Sequence, residues 1–260
     1  PAKRKVSRFG NGPPDMAAAA PRPVLPEPLA GWFRNRGWQP RPHQLALLAA
    51  GEERRSTLLI APTVAGKTLA GFLPSLVRLS AKRAPKKGAG LKVLYISPLK
   101  ALAADVARNL TIPITEMGLK IRTDNRTEDT SNTHRQQQRV KPPDILLTTP
   151  EQVALLLSHP DTHHLFADLD TIILDELHAL AASKRGDLLA LDLVRLARIA
   201  SPGLMTIGLS ATVARPSELR AFLVPQDSPE NSINLADVID TGGGANPQVT
   251  ILDSQQQLPW

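Results

Sequence analysis

LLIAPTVAGKTLAGF, residues 58–72, reads as a buried strand that runs into a loop and then into a helix opening with Lys67 and Thr68. A strand, a loop and then GKT at a helix start is a phosphate-binding arrangement. Backbone N–H groups point at the anion, the helix dipole favours it, Lys67 reaches the terminal phosphates and Thr68 can ligate Mg2+. The strict pattern G-x-x-x-x-G-K-[ST] is not met, because Ala61 holds its first position. Four residues, AGKT, do not decide a fold alone, so the flanking chain has to.

Working outward, short apolar, β-branched runs recur at STLLI (56–60), KVLYIS (92–97), DILLTT (144–149), TIILDE (171–176) and LMTIGLSA (204–211). Between them lie KTLAGFLPSLVRL, LKALAADVARNL, PEQVALLLS and DLLALDLVRLARIA, whose apolar residues recur at helical spacing. Apolar strands separated by helices predict an α/β fold: a doubly wound, mostly parallel sheet with helices on both faces. Ligands are then expected at the C-terminal ends of the strands.

The 260 residues are 42% hydrophobic, enough for a sizeable core, and the formal net charge is +7. That balance points to an anionic partner, nucleic acid first. With no cysteine, disulfides and Cys-ligated zinc or iron–sulfur sites are excluded. No apolar run approaches the roughly 20 residues a membrane span needs, so no membrane partner and a cytoplasmic location are expected. Residues 1–28, rich in Pro, Ala and Gly with basic Lys3, Arg4 and Lys5, are expected to form a flexible tail. Residues 29–230 are expected to form the α/β domain, and 231–260, with TGGGANPQ and a lone strand VTIL (249–252), a linker.

TIILDELHAL places Asp175 and Glu176 at the end of an apolar strand, where paired carboxylates are costly to desolvate unless they hold a cation or a water. In the functional reading Asp175 holds Mg2+ through its water shell, and Glu176 polarises the water that attacks a γ-phosphoryl group. The two pairs, Lys67 with Thr68 and Asp175 with Glu176, are expected to share a triphosphate across neighbouring sheet ends.

With these motifs in order, the chain resembles superfamily 2 helicases of the DExH type over roughly residues 29–225. RPHQ ending at Gln44 resembles the Q motif, APTVAGKT motif I, SPLKAL (97–102) motif Ia, TTPEQ (148–152) motif Ib, DELH motif II and SAT (210–212) motif III. The phrases YISPLKALAADVARNL, ILLTTPEQ and SKRGDLL are most similar to the Lhr (large helicase-related) family, especially its ligase-associated DNA-repair branch. The resemblance implies a first RecA-like motor domain that uses ATP and Mg2+. In it Gln44 reads adenine and Thr63, Val64, Ala65, Gly66, Lys67, Thr68 and Leu69 cradle the nucleotide. Thr68 and Asp175 hold the metal, while Lys67, Asp175 and Glu176 serve catalysis. Pro98, Lys100, Arg126, Thr130, Thr149, Pro150 and Glu151 line the nucleic-acid track, and His178, Ser210 and Thr212 couple nucleotide state to strand movement. The implied partners are single-stranded DNA or a DNA:RNA hybrid, a second RecA-like domain, and DNA ligase or other repair factors. The motifs of that second domain, including its arginine finger, do not follow Thr212, so negligible ATP turnover is expected of these 260 residues.

Two positions depart from the family pattern. Val64 stands where Gly is usual, and a β-branched residue forced to positive φ costs on the order of 1–3 kcal/mol, which predicts either nucleotide affinity about tenfold to a hundredfold weaker or a loop shifted to spare Val64 the strain. Glu128 in RTEDT (126–130) also stands where Gly is usual and is expected to repel a phosphate backbone. Two other readings therefore stay open: a nucleotide- and nucleic-acid-binding module without hydrolysis, and a double-strand translocase. Trp32 and Trp38 are read as core residues, with Trp38 the better candidate for stacking on adenine. His163 and His164 are read as surface residues, and Lys184 and Arg185 as either nucleic-acid contacts or a solvated turn.

Overall fold

The computed structural model describes residues 25–62, 66–81, 90–211, 213–226 and 233–242. Two helices, α1 (Leu29–Asn35) and α2 (Pro42–Glu52), precede β1 (Thr57–Ile60), which feeds α3 (Lys67–Ser80). Then follow β2 (Val93–Ile96), α4 (Lys100–Glu116), β3 (Thr123–Arg126), α5 (Asn132–Val140), β4 (Ile145–Thr148) and α6 (Pro150–Leu157). After the short α7 (Thr162–Phe166) come β5 (Thr171–Leu174), α8 (Leu177–Ala181), α9 (Lys184–Ile199), β6 (Met205–Ser210), α10 (Pro216–Phe222) and β7 (Asp237–Asp240).

The seven strands lie in the order β3-β4-β2-β5-β6-β1-β7, and every pairing is parallel. The period of two along each strand sends neighbouring side chains into opposite cores. Leu59, Val93, Tyr95, Ile173 and Leu209 pack with α1 to α4. Leu58, Leu94, Ile96, Ile172 and Leu174 pack with α6 to α10. Each such Leu or Ile, taken fully out of water, contributes about 1.5–3 kcal/mol. This is the expected doubly wound sheet, with parallel pairing throughout.

The interior strands coincide with the apolar runs, and the two edges do not. TDNR of β3 and DVID of β7 carry alternating or mostly polar residues because only part of each strand is covered. All four residues of β7 pair with β1, so the sheet continues past the expected boundary at 230. The stretch 237–240 is part of the domain rather than a linker. Leu25 likewise enters the core ahead of the expected start at 29. VTIL, the basic tail and the rest of 243–260 lie outside the described residues.

The early helices fix the site from one side. A Cβ on Gly51 would sit 2.5 Å from Pro74 Cβ, so the missing side chain is what lets α2 close on α3. Trp32 is buried and donates to Glu116 Oε2 at 2.6 Å, whereas Trp38 is 49% exposed. Arg36 lies over both rings, at 5.0 and 5.1 Å from their centroids. Trp32 is thus a core residue, and Trp38 is a surface ring packed edge-on against it. His163 and His164 are exposed on α7.

Candidate nucleotide and nucleic-acid site

The phosphate loop leaves β1 at Ile60, and Ala61 N–H donates to Ser210 O at 3.0 Å. Thr63, Val64 and Ala65 lie outside the described residues. Gly66 resumes at φ 72°, a left-handed conformation natural to glycine, and hands the chain to α3 with Lys67 and Thr68 in its first turn. The first-turn N–H groups of a helix have no partner within it and are available to an anion. Gln44 is buried near the start of α2, where its Oε1 accepts from Arg41 N–H at 2.9 Å. Its amide nitrogen is 3.2 Å from where a Cβ on Gly66 would stand. Leu69 packs, half-buried, against the core behind the loop.

Because β6 lies between β1 and β5, the two functional strand ends are second neighbours, not adjacent ones as the sequence suggested. The gap is bridged by side-chain length. Lys67, buried to 3% exposure, reaches Glu176 Oε1 with its Nζ at 3.4 Å. Glu176 Oε2 is 3.5 Å from His178 Nδ1, which is 2.9 Å from Ser210 Oγ on the intervening β6. Lys67, Glu176, His178 and Ser210 therefore form one polar chain across three strand ends. Thr212, the remaining expected coupling residue, lies outside the described residues.

Asp175 sits at the bottom of this cleft, 3% exposed. Burial raises its carboxyl above the ordinary value, opposed by hydrogen bonds from the Tyr95 hydroxyl and the Glu176 N–H and by the Lys67 charge. Glu176 adopts φ 46°, one of two non-glycine residues with positive φ among the described residues. Such a conformation costs on the order of 1–3 kcal/mol. The strain falls on the residue that turns the chain from β5 into α8, and it places the Glu176 carboxylate between Lys67 and His178.

No group of three or more His, Cys, Asp or Glu side chains able to hold a metal exists among the described residues. Magnesium does not require one, since it is commonly held by one or two carboxylates together with phosphate oxygens and water. Asp175 and Thr68, the latter a half-buried residue, supply a carboxylate and a hydroxyl, donors of that chemistry.

A second row of candidates lines the ends of β2, β3 and β4. Lys100 opens α4 and pairs with Asp129 at 3.0 Å, which raises the lysine's affinity for its proton. Thr130 Oγ1 accepts from Thr127 N–H at 3.0 Å. Thr149 stands at the N-terminal flank of α6 without a side-chain cap and Pro150 starts the helix, both buried. Glu151 is held by Arg185 through Nε and, at 3.0 Å, through an Nη, while the other Nη donates to Pro98 O at 2.8 Å. Burial draws the Glu151 carboxyl upward, but hydrogen bonds from Arg185, its own backbone N–H and Thr149, together with the Arg185 charge, bring it below the ordinary value. Arg126 does not join this row. It is 5% exposed, donates beneath α5 to Gln138 Oε1 at 3.4 Å, and burial beside Arg135 and Arg139 lowers its pKa to about 10. As the last residue of an edge strand whose inner face α5 covers, its side chain is committed to that interior.

Sequence reasoning missed Tyr95 and Asp129 and left the role of Arg185 undecided. A lone tyrosine within the apolar run KVLYIS was a signal for the first. Nothing local in SKRG shows that its arginine spans two other motifs. No helix among the described residues is long and apolar enough to cross a membrane.

The DEAD/DEAH box helicase family model matches residues 41–219. The Lhr helicase/probable uracil glycosylase of Mycolicibacterium smegmatis is 43% identical over 205 residues, covering 75% of this chain and 14% of that protein. The ATP-dependent helicase Lhr-Core of Methanocaldococcus jannaschii is 38% identical over 214 residues, covering 77% of this chain and 25% of that protein. The structure of Mycobacterium smegmatis helicase Lhr bound to ssDNA and AMP-PNP superposes with TM-score 0.71 at 38% identity, over 81% of this chain and 27% of that one. This chain thus spans from about a seventh to about a quarter of these relatives' lengths.

Proposed function

Since the chain belongs to the DEAD/DEAH box helicases, we propose that it is the first RecA-like motor domain of an ATP-dependent, Lhr-type helicase that binds ATP with magnesium and a single nucleic-acid strand. The observation that carries this is the 3.4 Å approach of Lys67 to Glu176 beside the buried Asp175, which gathers the phosphate-binding and hydrolytic groups in one cleft. The resemblance to a relative described with single-stranded DNA and AMP-PNP supports it.

In this mechanism the first turn of α3 and Lys67 take the phosphates, and Gln44, lying against Gly66, takes the adenine edge. Thr68 and Asp175 would hold magnesium, which when bound neutralises charge on the phosphate oxygens. Glu176 orients the attacking water; bound phosphate draws Lys67 away, which frees the carboxylate for that task. His178 and Ser210 pass the resulting shift to β6. Pro98, Lys100, Thr130, Thr149, Pro150 and Glu151 form the strand track, in which backbone and hydroxyl donors grip phosphates without reading bases. On the same reading the whole protein would act in DNA repair in the cytoplasm, with a ligase or other repair factor as partner.

Titration with a fluorescent ATP analogue tests the reading. Lys67→Ala is expected to weaken binding about tenfold to a hundredfold by removing a buried charge-assisted contact, whereas Glu176→Gln keeps it within about threefold. Single-strand affinity is expected to change when nucleotide is added. Identical strand affinity with and without nucleotide would overturn the motor assignment.

A further inference from the structure

Tyr95 is the chain's one tyrosine. It lies wholly buried on β2, where its neighbours along the strand are Leu94 and Ile96. A hydroxyl in such a place costs free energy unless it is bonded, and phenylalanine would fill the same space without that cost. The hydroxyl donates to Asp175 Oδ2, and the Glu176 N–H donates to Oδ1 at 2.9 Å. Each carboxylate oxygen thereby has one fixed donor, which removes the group's freedom to rotate. The Tyr95 ring in turn stacks on Phe72, with centroids 5.3 Å apart and planes 23° from parallel. Phe72 belongs to α3, the helix that Lys67 and Thr68 open.

We propose that Tyr95 is the positioning residue of the magnesium site, fixing the rotation of the Asp175 carboxylate and its distance from Thr68 through the Phe72 stack. The inference rests on the nucleotide reading above and extends it to a residue outside the recognised motifs. It accounts for both ends of the side chain. The ring ties β2 to the phosphate-loop helix, and the hydroxyl ties that same ring to the carboxylate which follows β5.

The test is the magnesium requirement of nucleotide binding by this chain, read by titrating a fluorescent ATP analogue with MgCl2 and, separately, in EDTA. Tyr95→Phe keeps the stack and removes only the donor. Its metal-free affinity is expected to match the parent's, while its half-saturating magnesium concentration rises about tenfold, equivalent to ~1.4 kcal/mol, as for a lost hydrogen bond to a charged group. Asp175→Asn is expected to raise the requirement as well, and Tyr95→Phe to add nothing on that background, because the hydroxyl acts only through the carboxylate. A magnesium requirement unchanged in Tyr95→Phe overturns the proposal, even with a lowered melting midpoint, because that is what a purely structural tyrosine would show. Additive effects in the double variant overturn it too. If the parent does not bind the nucleotide at all, the nucleotide reading fails first; if it binds nucleotide without any dependence on magnesium, the metal site fails and this inference with it.

Discussion

At Glu128 a single charge sets the character of the strand track. Its side chain is exposed, and its charge acts on both Lys100 and Arg185. Those two cations are already paired, with Asp129 and Glu151 respectively, and Arg135 donates to the Glu128 carbonyl oxygen at 2.9 Å, so Glu128 adds a third carboxylate beside the track. An incoming phosphate therefore meets an additional negative charge. Glu128→Gly is expected to tighten single-strand binding about two- to threefold at low ionic strength, with the gain fading as salt shortens the screening length toward ~3 Å near 1 M. Strand binding measured across a salt series checks this, and an equal effect at every salt concentration would mean that the charge is not the cause.

Elements that meet at the track are joined by Arg185, which opens α9, grips Glu151 on α6 and donates to Pro98 O before α4. It does two things at once: it holds the motif Ia turn against the motif Ib helix, and it neutralises a carboxylate at the start of α6 that would otherwise face the nucleic acid. Both side chains are more than a third exposed, so the pair itself contributes little to stability, but removing the arginine alone leaves the carboxylate's charge uncompensated where a phosphate would meet it. Arg185→Ala is accordingly expected to weaken single-strand binding about three- to tenfold. Adding Glu151→Gln should recover most of that loss if neutralisation dominates. Affinities of the two single variants and the double variant separate neutralisation from bracing, since a brace would not be restored by removing its partner.

Across the whole molecule, the arrangement that makes a site also leaves an edge to protect. β1 is an apolar strand, TLLI, lying one place in from the sheet edge because polar DVID of β7 pairs along its full length. Ile239 packs on the core, and Arg55, just before β1, pairs with Asp237. Ending the chain at 230 would strip this cover and expose β1 as an unpaired apolar edge beside the phosphate loop. Such a truncation is expected to lower the melting midpoint by about 2–4 °C for each kcal/mol lost and to promote aggregation. Thermal melts with light scattering on chains ending at 230 and at 242 provide the check. Equal melting of the two would mean that β7 contributes nothing to the domain.

The sequence by itself determined the α/β class, the five interior strands, the order of the motifs and the identity of the charged groups at the strand ends. It could do so because a strand buried on both faces must be apolar over its length, and because phosphate and carboxylate chemistry needs particular residue types at particular turns. The edge strands TDNR and DVID were not legible, since half-covered strands carry no continuous apolar signal. The depth of Arg126 was also hidden, because α5 covers it only once β3 has paired with β4. Only the tertiary structure decided that β6 comes between β1 and β5. Strand order in a parallel sheet is set by how crossovers pack, which local sequence does not encode. That intervening strand is why Lys67 must reach across the cleft to Glu176, and why a serine on β6 stands where it can feel what happens there.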